Sequence, residues 1–314
     1  MEEILIPSMF SILLTGERIL LGFNKFAFHW FFPELVALEH GFFYENGLRC
    51  ELVELRGGGV EKSDLYVDAM RTGRTDFYHC GEWVGVVRVL KDTAGKIVAQ
   101  SKPAPGTLNS SFTIFVREDS GISSPRDLAG KSIAVEAGTG SFYAARMDLE
   151  PYVKSEEIRL VSVSEPHARL KALMEGRVSA ASLLGPWTKM AIKLGLKPVL
   201  TTKRDNPTLL IVSDRLGDET VVRLIKSINK AVEKINSDPS AYSDLYMDYL
   251  RQVVDEGGLD RRWLDSLDKD SLVDRWSTWE PYSYSRLYQV SRWMLERGLV
   301  STVPDNNVVR SLRI

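Results

Sequence analysis

The chain has 314 residues, 44% hydrophobic and 26% charged, with a formal net charge of -2. That length and balance allow two compact lobes and exclude a disordered or fibrous chain. With no long basic block, there is no footprint for nucleic acid or for an anionic membrane surface.

The opening Met-Glu-Glu has the wrong charge for a secretory leader, and Pro7 breaks the apolar stretch from Ile4 to Leu14. The expectation is a cytoplasmic protein, or a periplasmic one if a leader is missing from this sequence. No run is long enough to span a bilayer. Cys50 and Cys80 are too few for a disulfide framework. Four histidines without His-x-x-x-His or Cys-x-x-Cys spacing predict no metal site. Gly57-Gly-Gly59 precedes a helix but lacks the spacing of a dinucleotide fingerprint, and there is no P-loop, so no cofactor is expected.

In chain order, 18–23 reads as a strand, 33–40 as a helix opened by Pro33 and closed by Gly41, and 48–55 as a second strand. A helix over 63–71, short strands at 76–78 and 97–100, and a Pro/Gly/Ser stretch over 101–111 follow. Strands are expected at 112–117, 131–135, 158–163, 178–183, 199–202 and 209–213. Helices are expected after 137–141, over 166–175, and in a C-terminal region at 219–235, 240–253 and 283–297. Strands alternating with helices make parallel βαβ units the default. The segment 251–279, rich in Arg, Asp and Trp, reads as a solvated helical face or, alternatively, as a homodimer contact.

One phrase occurs twice. Arg71 to Trp83 (RTGRTDFYHCGEW) is echoed by Met174 to Trp187 (MEGRVSAASLLGPW). Each copy reads as a helix end, a Gly-Arg turn, a buried strand and a sharp loop carrying Trp, which suggests two similar lobes. Loops after the carboxyl ends of parallel strands are where ligands sit, so two such loops predict a cleft.

Phe115 to Val135 (FVREDSGISSPRDLAGKSIAV), Glu39 to Leu48 (EHGFFYENGL) and Gly73 to Asp76 (GRTD) resemble the sulfonate/nitrate/taurine class of solute-binding proteins. The resemblance covers about residues 18–215. It implies the type II periplasmic-binding-protein fold: an α/β, two-lobed clamshell with parallel-rich sheets and a helical C-terminal region. Lobe 1 would comprise 18–105 and 205–314 and lobe 2 106–204, with hinges near 101–111 and 201–208.

Two cytoplasmic enzyme branches share that fold. The nucleophilic cysteine of the aromatic sulfinate desulfinase would fall near Phe28 and His29, where there is none. The Arg-x-Gly-Gly-Glu loop of that enzyme corresponds to Tyr78-His-Cys-Gly-Glu82, with the arginine and first glycine changed. The thiamine-pyrimidine synthase needs a lysine near the place of Cys80 and a cysteine-rich segment, and neither is present.

Ala137-Gly-Thr-Gly-Ser141 at a helix start offers free N–H groups and a hydroxyl to an anion, with a plain helix cap as the alternative. Gly138, Thr139, Gly140 and Ser141 are therefore candidate ligand contacts. His79, Cys80 and Glu82 place a base, a thiol and a carboxylate in the first repeated loop and are the catalytic candidates. On an extended segment His79 and Cys80 point to opposite faces. Asn24, His29 and Trp30 lie between the first strand and its helix, Trp83 and Trp187 come one from each repeat, and Arg204 lies in the return crossing. All six are further ligand candidates; core packing is the alternative for the tryptophans. His40 and His167 read as helix-surface residues.

The functional expectation is a cytoplasmic, cofactor-independent lyase-like enzyme, desulfinase- or decarboxylase-like, acting on a small organic anion in the cleft. The alternative is the non-catalytic receptor of an ABC importer, partnered by its permease.

Overall fold

The computed structural model describes residues 16–56, 61–92, 94–104, 107, 111–202, 206–265 and 267–312. Arg204 and Gly57-Gly-Gly59 lie outside the described residues. Strands β1 (Glu17–Phe23), β2 (Leu48–Glu54), β3 (Phe77–Gly81), β4 (Gly95–Ser101), β5 (Thr113–Val116) and β6 (Ser132–Val135) are followed by β7 (Arg159–Ser162) and β8 (Ala180–Leu183). Then come β9 (Lys197–Thr201), β10 (Thr208–Ser213) and β11 (Glu280–Pro281). They form two sheets, ordered β11-β4-β10-β3-β1-β2 and β7-β6-β8-β5-β9.

In the first sheet β1 runs parallel to β2 and β3, with Glu17 opposite Leu48 and Leu21 opposite Phe77. In the second, β6 runs parallel to β7 and β8. The sheets are mixed: β10 is antiparallel to β3 and β4, and β5 is antiparallel to β8 and β9. The cause is connectivity. The chain enters β5 from the first sheet and β10 from the second, so neither strand is delivered by the crossover helix that enforces parallel direction.

Helices α1 (Phe32–Glu39), α2 (Glu61–Arg71) and α3 (Glu82–Lys91) follow strands of the first sheet; α4 (Gly140–Leu149), α5 (Pro166–Met174) and α6 (Pro186–Lys193) follow strands of the second. The C-terminal helices are α7 (Asp218–Ser237), α8 (Ser243–Glu256) and α9 (Tyr284–Glu296). Along α7, Val221, Leu224, Ile225, Ile228, Val232 and Ile235 are buried at three- and four-residue spacing, which makes one apolar stripe that packs on α1. β3 is buried throughout, as a central strand covered on both faces must be.

The repeated phrase is a strand running into a helix, β3 into α3 and β8 into α6, with Gly81 and Gly185 as the caps between. In the first copy no loop intervenes, and in the second the sharp turn is Leu184 and Gly185, the latter at φ 56°. His79 and Cys80 therefore belong to a strand, and Glu82 and Trp83 to the first turn of a helix. The apolar run after Trp83, read as no element from sequence, is helix α3.

Candidate functional site

A cavity of about 110 Å³ opens between the carboxyl ends of the two sheets. From the first-sheet side it is lined by Asn24, His29, Trp30, Phe31, Tyr66, His79 and Arg88, and from the second by Phe112, Glu136, Thr139, Gly140, Ser141, Glu165 and Arg169. Among the residues expected from sequence, Asn24, His29, Trp30, His79, Thr139, Gly140 and Ser141 meet there. Gly138, Cys80, Glu82, Trp83 and Trp187 do not line it.

The floor from the second sheet is the start of α4. Thr139 is its N-cap residue, and the Ser141 hydroxyl oxygen accepts the Glu136 N–H at 2.9 Å while the Thr139 hydroxyl donates to the Glu136 carbonyl at 2.8 Å. These bonds fold the loop back on itself. The N–H groups of Gly140 and Ser141 find no acceptor among the described residues. With the helix dipole behind them, these donors have the polarity that an anion seat requires.

Opposite stands a buried aromatic and imidazole wall. His29 is fully buried, and neither ring nitrogen has a partner. Burial, with the Arg169 charge second, lowers its pKa to about 3, so the ring is neutral and offers one donor and one acceptor. It presses on Gly185, where φ is 56° and a Cβ would lie 2.6 Å from the His29 ring. Only glycine fits both demands. His79 lies 4.1 Å, centroid to centroid, from Phe31, and its Nε2 is 3.6 Å from Oε1 of the buried Glu34. Trp30 and Phe112, 6.4 Å apart, face each other from the two sides.

Asn24 caps the turn after β1 by accepting the Phe26 N–H at 3.0 Å, and its amide donates to Glu165 Oε1 at 3.1 Å. Glu165, the residue before α5, has φ 62°, a conformation unfavourable for a side chain with a Cβ. This bond ties the first sheet's side of the cavity to the second's. Lys189 to Asp274 at 2.7 Å and Arg297 to Glu150 at 3.0 Å tie the second sheet's helices to the C-terminal segments elsewhere.

The remaining candidates have structural neighbours instead. Cys80 faces away from His79, toward Gly85 and Leu209, and burial pushes its thiol pKa up, only partly offset by the nearby Arg88. The Glu82 carboxylate accepts Arg286 at 2.5 and 2.9 Å and the Tyr282 hydroxyl at 2.8 Å. Trp187 is fully buried in the core and Trp83 is buried where α3 meets α4, its ring 6.5 Å from Tyr143. His167, expected on a surface, packs between Phe26 at 4.9 Å and Trp187 at 5.8 Å, because the start of α5 meets the end of α8 at Gly257. His40 is exposed.

Several cavity residues were not anticipated: Tyr66, Arg88, Phe112, Glu136, Glu165 and Arg169. Arg88 sits in the apolar run WVGVVRVL, and a lone arginine inside such a run signals a buried charge. Glu165 and Arg169 are four residues apart, the spacing that places both on one helix face. Arg169 is buried and engaged: its Nε donates to the Ser182 carbonyl at 2.8 Å and its Nη1 to that of Val163 at 3.3 Å, with Glu136 at 4.0 Å. No helix among the described residues is long and apolar enough to cross a membrane.

Comparison with known proteins adds the following. A family described as "ABC transporter, phosphonate, periplasmic substrate-binding protein" matches residues 63–228, more than half of the chain. The "Putative aliphatic sulfonates-binding protein" of Bacillus subtilis (strain 168) is 25% identical over 256 residues, covering 77% of this chain and 74% of that one. The alkanesulfonate-binding protein SsuA from Xanthomonas axonopodis pv. citri, bound to MOPS, superposes with a TM-score of 0.72 at 16% identity, covering 94% of this chain and 99% of its own. A mutant of DSZB in complex with biphenyl-2-sulfinic acid superposes with a TM-score of 0.59 at 15% identity, covering 94% and 96%. At those identities the two structures establish the fold alone. The chain belongs to the phosphonate-type family of periplasmic substrate-binding proteins of ABC transporters, within the type II periplasmic-binding-protein superfamily that includes the sulfonate-binding proteins.

Proposed function

We propose that the protein is the substrate-binding component of an ABC importer, working outside the cytoplasm with a membrane permease as its partner. Its ligand is a small organic sulfonate with an apolar or aromatic body. The observation that carries this reading is the cavity between the two sheets, where the anion seat at the start of α4, with Phe112 beside it, faces Trp30 and Phe31. An anionic head and an apolar body fit those two surfaces together. The name of the Bacillus subtilis relative supports the choice of sulfonate.

Of the three catalytic candidates only His79 lines the cavity, and Cys80 and Glu82 fit a lyase poorly. A thiol whose pKa is raised by burial, and which faces away from the cavity, is a poor nucleophile. A carboxylate held by Arg286 and Tyr282 is engaged before any substrate arrives. The description of the matched family as periplasmic supports a location outside the cytoplasm.

Isothermal titration with butanesulfonate and benzenesulfonate tests the reading. Saturable binding of one ligand per chain is expected. Heat no greater than that of dilution with both compounds would refute it.

A further inference from the structure

We propose that Arg88 is the residue through which the cleft reads ligand charge, and that it selects a singly charged oxyanion over a doubly charged one. The proposal rests on the solute-binding reading above and names the group that enforces it.

Arg88 lies on α3, is 5% exposed, and lines the cavity. Its guanidinium carbon sits 4.1 Å from the Tyr66 ring centroid and 4.8 Å from that of Tyr78. The two rings hold the cation by their faces, and the guanidinium also hydrogen-bonds the Tyr78 and Cys80 side chains. Its Nε and Nη1 are buried and have no acceptor, and no carboxylate pairs with it among the described residues. A buried guanidinium without a carboxylate partner is costly to maintain. Helix α3 packs against α4, so this cation and the anion seat belong to the same cleft from opposite sides. A ligand oxyanion between them would supply the acceptors that Nε and Nη1 lack.

The charge count of the cavity sets how much negative charge is wanted. Arg169 has its own acceptors and Glu136 beside it, Glu165 also lines the cavity, and His79 faces Glu34. Arg88 and Arg169 against Glu136 and Glu165 sum to zero, so every negative charge a ligand brings is in excess, and the first is met by the unsatisfied donors of Arg88. A second would face Glu136 and Glu165, which repel it. A sulfonate carries one charge and a fully ionised phosphonate two, so discrimination between heads of the same tetrahedral shape falls to this balance.

The test titrates wild-type, Arg88→Met and Arg88→Lys proteins with butanesulfonate, the butylphosphonate dianion and a neutral butyl sulfone, alongside thermal unfolding without ligand. Wild type is expected to prefer the sulfonate to both others. Arg88→Met is expected to melt at or above wild type, because an unpaired buried charge is gone. The same variant should bind butanesulfonate about tenfold or more weakly and lose its preference over the sulfone. Arg88→Lys, which keeps the charge, loses less. The proposal is overturned if Arg88→Met melts below wild type or binds butanesulfonate within about threefold of it. Equal losses in the two variants, or a wild type that holds the phosphonate dianion as tightly as the sulfonate, overturn it too. A wild type that binds none of the three compounds would remove the solute-binding reading instead.

Discussion

Glu82 separates the two accounts of the repeated phrase, as catalytic carboxylate or as structural anchor. Its carboxylate is 3% exposed and receives Arg286 through both oxygens and Tyr282 through one, fastening α3 to α9 and its preceding turn. Glu82→Gln keeps the shape and removes the charge. Breaking a buried ion pair costs about 3–5 kcal/mol. Arg286 remains 27% exposed and recovers some hydration, which lowers the expectation to about 2–3 kcal/mol. At about 2–3 °C per kcal/mol for a chain of this size, the melting temperature falls by about 4–9 °C. Circular dichroism on the ligand-free protein measures this, and titration with butanesulfonate should give an affinity close to wild type. A variant that melts like wild type but no longer binds sulfonate would refute the structural assignment and return Glu82 to the ligand.

Two further outcomes follow from burial. The folded pKa of His29 is about 3 against an ordinary 6.5, so as pH falls the unfolded chain takes up its proton first. Its contribution to stability is complete above pH 6.5 and is lost progressively down to about pH 3. At about 1.4 kcal/mol per pH unit the loss approaches about 4–5 kcal/mol. Urea unfolding across that range should show His29→Asn with a flatter acid limb; an unchanged slope would contradict the assignment. Cys80 should resist iodoacetamide in the native protein and react after unfolding, and Cys80→Ala should leave sulfonate affinity unchanged. Fast native labelling at Cys80 would contradict its burial.

The fold was legible because its signals are local. The apolar run of β1, the alternation of β2, the buried run of β3 and the three-to-four spacing along α7 each announce an element within a few residues. What was not legible depends on which strand meets which. The direction of β5 and β10 is set by where the chain re-enters each sheet, which no window around either strand contains. The cavity divides the same way. The α4 seat is a contiguous motif, so Thr139, Gly140 and Ser141 could be named from sequence. His79 was within reach and Cys80 misled, because strand alternation sends neighbours to opposite faces and sequence alone does not say which face is the cavity. Arg88, Glu136 and Arg169 come from three separate elements brought together only by packing. Trp83 and Trp187 are the large side chains such a core needs, and their shared place in the repeat reflects shared packing beneath two strand-to-helix turns.

The central claim is that the cleft holds its ligand and leaves it chemically intact. The most direct measurement follows butanesulfonate and biphenyl-2-sulfinate by proton NMR, each incubated in large excess over the protein, and then recovers the bound fraction by denaturing the protein. The account predicts that the bound sulfonate reaches one equivalent per chain and is released unchanged, with no sulfite or hydrocarbon product from either compound. Consumption of either compound beyond one equivalent, with a matching product, would contradict it.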